Sequence, residues 1–134
     1  MIFAYYKEFG ECDVLMAEGL SFLHGLRLCL QRWLNHVWVE VDSATLVQLV
    51  MTNALAKWPL CNVVRELRWI LDQLFGQLQH AYLETNAAAD ALAALKLGQD
   101  CLWVKSRQLP RTIRSIISLD CGAFPYVQLT HVRE

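Results

Sequence analysis

Charge is scarce in this sequence. Asp, Glu, Lys and Arg make up 19% of its 134 residues and leave a formal net charge of -1, whereas soluble proteins usually carry about 25% charged residues. A protein that grips nucleic acid by bulk electrostatics neutralises many phosphates with Lys and Arg. The near-neutral balance excludes that class, so nucleic acid is not a favoured partner and any contact with it must be local. The basic cluster Lys105, Arg107, Arg111 and Arg114 reads as a solvated segment. A CxxC pair and a Cys/His spacing suited to zinc are both lacking: the five cysteines, Cys12, Cys29, Cys61, Cys101 and Cys121, are odd in number and scattered, which fits reduced intracellular thiols. No apolar run reaches the roughly 18–20 residues of a membrane span. The start, MIFAYYKEFGE, has no basic opening followed by a long apolar stretch, and Glu8 and Glu11 suit a mitochondrial presequence poorly. The expectation is a cytoplasmic or nuclear protein without a clear targeting signal.

What is abundant is apolar. Hydrophobic residues reach 55%, including the five tryptophans Trp33, Trp38, Trp58, Trp69 and Trp103. Either the core is large or an apolar surface awaits a cover, and large amphipathic rings favour interfaces as well as cores. A homodimer or larger species, or another protein as partner, is therefore expected.

Periodicity organises the chain. Ile2 to Tyr6 reads as a strand leaving into a polar segment at Gly10. Leu15, Leu20, Leu23, Leu26, Leu30 and Trp33 recur at three- and four-residue intervals, predicting a long amphipathic helix to about Leu34. Val37 to Val41 is a β-branched run ending at Asp42-Ser43, either of which can cap the helix expected over Ala44 to Met51. Lys57-Trp58-Pro59 punctuates the chain. A further helix runs from about Cys61 to Leu74, with Val64, Leu67, Ile70, Leu71 and Leu74 on one face, and Gly76 ends it. Gln77 to Leu83 is weakly strand-like, and Asn86 to Leu97 is rich in helix-forming Ala and Leu up to Gly98. Residues 1–98 then form one domain, and 99–134 a C-terminal tail packed on it. Strands alternating with helices predict an α/β layer arrangement with the later strands parallel between helices.

Three carboxylates fall at element ends. Glu18 is in the first turns of the long helix, Asp42 closes a buried-looking strand, and Asp90 lies near the start of the last helix of the domain. In open α/β sheets ligands meet the carboxyl ends of strands, where such a cluster could hold hard divalent cations. From the residues alone a second reading competes, since acidic side chains near helix N-termini also stabilise the helix dipole.

The surrounding sequence favours the first reading. AEGLSFLHGLRL at 17–28, VWVEVDSATLVQLV at 37–50 and HAYLETNAAADALAAL at 80–95 resemble, in order and spacing, three blocks of the plant retroelement type of ribonuclease H-like domain associated with reverse transcriptases. LPRTIRSIISLDCGAFPYVQL at 109–129 resembles the segment that often follows it. The resemblance implies a ribonuclease H-like sheet flanked by helices, and a metal-dependent endonuclease that cleaves RNA in RNA–DNA hybrids with paired Mg²⁺ ions about 4 Å apart. It also implies Glu18, Asp42 and Asp90 as the catalytic metal ligands. His80 matches a position at a strand end, read here as packing or hydrogen-bonding, while Glu84 and Asn86 match the loop before the last helix. Leu83 stands where the family usually has a basic residue.

The family opens with a hairpin whose first strand is central to the sheet and bears a fourth carboxylate. This chain resembles a truncated copy that begins at the third strand. Three carboxylates hold two reluctantly dehydrated Mg²⁺ ions poorly, so the expected cofactor is none, or weakly bound Mg. Absence of a central strand would also bare N–H and C=O groups and apolar faces, which two copies could cover by edge pairing or exchange of elements. The expected function is a non-catalytic, self-associating protein-interaction module, usable as a toxic or selfish factor although no residue selects that role. The alternative is a residual Mg-dependent ribonuclease H-type nuclease whose site is rebuilt on dimerisation.

Overall fold

The computed structural model of the chain describes residues 3–10, 12–52, 54–80, 87–119 and 126–128. Its elements in order are β1 (Ala4–Tyr6), α1 (Val14–Gln31), β2 (Trp38–Val41), α2 (Ala44–Met51), α3 (Leu60–Gln73), β3 (Gln77–His80), α4 (Ala87–Ala93), β4 (Cys101–Trp103), a 3-10 turn (Ser106–Gln108), α5 (Arg111–Leu119) and β5 (Tyr126–Gln128). The mixed α/β architecture agrees with the sequence reading.

Local chemistry explains the helix limits. Asp13 caps α1, its Oδ1 accepting the Met16 N–H at 2.7 Å, and the Ser43 hydroxyl caps α2 by accepting from Leu46 at 3.2 Å. The periodicity carried α1 to Leu34, but it stops at Gln31 because Trp33 turns left-handed (φ 58°) and the Leu34 N–H folds back to the Cys29 carbonyl at 3.1 Å. α3 closes the same way: Phe75 takes φ 50° and the Gly76 N–H reaches the Leu71 carbonyl at 2.9 Å. Both closures are Schellman motifs, and in both an aromatic residue fills the left-handed position that glycine usually takes. The glycine expected to end α3 comes one residue later.

Helices α1, α2 and α3 bury one face of a three-stranded parallel sheet ordered β3-β2-β5. Val39 and Val41 point into this core with Phe22, Leu26, Leu46, Leu67 and Ile70. At the α1–α3 contact, a Cβ on Gly19 would stand 3.3 Å from both Leu60 and Val63, so glycine permits the close approach there. Arg68 on α3 donates to the Val50 carbonyl at 3.1 Å and to the carbonyls of Leu49 and Thr52. It thereby ties α3 to the end of α2, where the helix dipole favours a cation. The other sheet face, with Trp38 and Glu40 on β2 beside exposed Gln77 and Gln79 on β3, stays partly open.

The segment expected to be a tail contains regular structure. β4 pairs antiparallel with β1, Ala4 opposite Trp103 and Tyr6 opposite Cys101. β5 lies parallel on β2 with Trp38, Val39 and Glu40 opposite Tyr126, Val127 and Gln128. The second edge of β2 is thus occupied from within the same chain. A second cluster joins Ala4 and Leu92 to Leu109 and Ile113. β1 serves both cores: Ala4 faces the second, while Tyr5 enters the first and donates to the Ser21 carbonyl at 2.7 Å.

Polar contacts pin the start of this segment to β1. The Glu8 carboxylate accepts from the Tyr6 hydroxyl at 2.6 Å and the Gly98 N–H at 3.1 Å. Asp100 accepts from the Lys7 ammonium at 2.6 Å and the Glu8 N–H at 2.8 Å. Lys7 foremost, with the Glu8 N–H, holds the Asp100 carboxyl below its ordinary value. A depressed carboxyl contributes stability that is present above its unfolded value, about 3.9, and lost as pH falls through the folded one. The protection of amides 101–103 against exchange should therefore fall relative to that of the α1 core as pH drops below about 4. Asp100→Asn should raise that exchange at neutral pH and flatten its acid dependence. An unchanged acid profile in the variant would remove Asp100 from this role.

Candidate functional site

Parallel pairing sets Val41 of β2 opposite His80 of β3, so the carboxyl ends of the two strands lie side by side and Asp42 follows directly. His80 Nε2 stands 3.0 Å from the Asp42 carbonyl oxygen. A carbonyl only accepts, so Nε2 carries the proton and donates. On the adjoining rung Gln79 donates to the Glu40 carboxylate at 3.0 Å. Asp42 is half-buried between the end of β2 and the Ser43 cap of α2.

The other two carboxylates come from different elements. Glu18 is half-buried on α1, next to Gly19 at the α1–α3 contact. Asp90 is exposed in the first turn of α4, which packs on α5 and β1. Glu84 and Asn86 fall outside the described residues. Among the described residues no three His, Cys, Asp or Glu side chains form a group able to hold a metal. The structure joins Asp42 to His80 and does not gather Glu18, Asp42 and Asp90 into one donor set. Paired Mg²⁺ ions need several converging carboxylate oxygens, and the described residues do not supply such a group.

No sequence pattern announces the second polar group, around β1. There Lys7, Glu8 and Asp100 meet, with His24 edge-on to Tyr5 at 5.0 Å between ring centroids. Burial first, and then Lys7, lowers the His24 value, while burial and the Glu8 hydrogen bond raise that of Tyr6. Lys7 and Asp100 lie 93 positions apart, beyond the reach of any periodicity. Burial also pushes the Cys29 thiol up to about 11, and no disulfide joins Cys12, Cys29, Cys61 or Cys101. No helix among the described residues is long and apolar enough to cross a membrane.

Comparison with known families matches residues 1–96 to a family model described as reverse transcriptase-like. No curated protein and no solved structure matches the chain.

The exposed His80 ring bonds the Asp42 carbonyl, so His80→Phe should lower unfolding stability in urea by about 1 kcal/mol or more. An unchanged stability would mean that this bond contributes nothing to the fold.

Proposed function

The chain belongs to the reverse transcriptase-like family, and we propose that its ribonuclease H-like domain, of the plant retroelement type, serves as a non-catalytic module that self-associates and binds another protein. The observation that carries this reading is the pair of aromatic helix closures. Trp33 is 92% exposed and Phe75 68%, and each sits where the backbone suits glycine better than any side chain. A non-glycine residue there is strained by about 1 kcal/mol or more. Trp33 gains little packing within its own chain in return. The His36 N–H donates to the Leu74 carbonyl at 2.7 Å and the His36 ring stacks on Phe75 at 5.4 Å, which draws the ends of α1 and α3 together. Trp69 on α3, and Trp58 and Leu55 before its first residue, are further exposed apolar side chains. Exposed aromatics of this sort are the side chains that anchor protein interfaces.

The residual-nuclease alternative has one observation in its favour, the placement of Asp42 and His80 at adjoining strand ends. An assay of RNA–DNA hybrid cleavage with Mg²⁺ or Mn²⁺, on protein whose mass is measured by light scattering, separates the two. The interaction reading expects no metal-dependent cleavage and a mass of two or more chains. Cleavage lost in Asp42→Asn, above all from a monomer, would overturn it.

Trp33→Gly supplies a second check. It relieves the strained closure, so unfolding stability should rise by about 1 kcal/mol, while the concentration needed for association should also rise. Lower stability with undiminished association would assign Trp33 to the fold and not to an interface.

A further inference from the structure

We infer that the β2 edge is a strand-exchange site, whose occupant in the self-associated protein is β5 of a second copy. The inference rests on the self-association reading and names the element that would carry it.

Three features lead to it. First, the β2–β5 rung pairs main chain with main chain over three residues on each side, and a second copy can reproduce such pairing without any change of sequence. β2 cannot lose the rung without replacement, because Val39 and Val41 hold this strand in the main core and its freed N–H and C=O groups would need new partners. Second, the segment before β5 is anchored independently of it. Leu109 and Ile113 are buried against Ala4 and Leu92, and β4 is paired to β1. α5 and β4 can therefore stay on their own body while β5 pairs elsewhere. Third, β5 has β2 as its sole described strand partner, and only residues 120–125 join it to α5. Exchange of an identical element keeps every rung of the single chain and adds new contacts only where the copies meet, so it is a low-cost route to a dimer. The open sheet face with Trp38, 41% exposed, adjoins this edge and would lie at that junction.

The register supplies the test. Trp38 lies opposite Tyr126, and neighbouring strands about 4.8 Å apart suit the Cα separation of a disulfide. In the 134-residue chain with Cys12, Cys61, Cys101 and Cys121 replaced by Ser and buried Cys29 retained, Trp38→Cys and Tyr126→Cys are made separately and together. The two single variants are mixed, unfolded, refolded at high concentration and oxidised. A covalent dimer bridged between positions 38 and 126 of different chains is expected, together with a dimeric mass for the unmodified protein. The double variant checks folding, since dilute oxidation should close the bridge within one chain. A dimeric mass with bridges only inside single chains overturns exchange and leaves self-association standing. A monomeric mass at every concentration overturns both. Failure of both bridges in folded protein would remove the β2–β5 rung and the inference with it.

Discussion

The structure depends on keeping β2 paired along both edges. This four-residue strand sends Val39 and Val41 into the core beneath α1, α2 and α3, and a buried strand cannot leave its peptide groups unpaired without losing about 1–3 kcal/mol for each. β3 supplies one edge, reached through a crossover that contains α2 and α3 and returns parallel to β2. The second edge is supplied by residues that follow α5. The core of the first half of the chain is therefore completed by backbone from β5, and β4 and β5 have a structural task as partners of β1 and β2.

Local chemistry made much of the first part legible. Ser43 announces α2, whose limits match the expectation of Ala44 to Met51, and the apolar face of α3 places it within a residue of its observed limits. These signals lie within a few positions of what they determine. The last two strands offer no such signal, because β4 and β5 are three residues each and exist only through partners at Ala4–Tyr6 and Trp38–Glu40. Tyr126, Val127 and Gln128 lie in no long apolar alternation, and nothing local says which edge they will join. The aromatic closures escaped for a related reason. Gly76 was the expected stop, yet Phe75 adopts the left-handed geometry, so composition pointed one residue away from the conformation that ends α3.

Apolar abundance left two readings open, a large core or an uncovered surface. The structure divides the core into a main cluster around β2 and a small one of Ala4, Leu92, Leu109 and Ile113. It leaves Trp33, Leu55, Trp58, Trp69 and Phe75 largely in solvent. The excess thus lies substantially at the surface, and it gathers in part at the end where α1 and α3 close. The division into two clusters also makes β1 a hinge of the architecture, since alternate residues of one short strand belong to different cores.

The candidate site separates two requirements that a single strand beside β2 could in principle meet together. Sheet pairing asks only for main-chain donors and acceptors in register, and Tyr126-Val127-Gln128 meets it. Holding paired divalent cations asks in addition for carboxylates at chosen positions, and these three residues bring none. Backbone completion of the sheet is indifferent to side chain, whereas metal chemistry is not. In this chain the His80 ring meets the Asp42 carbonyl, a side-chain hydrogen bond that ties the end of β3 to the junction of β2 with α2.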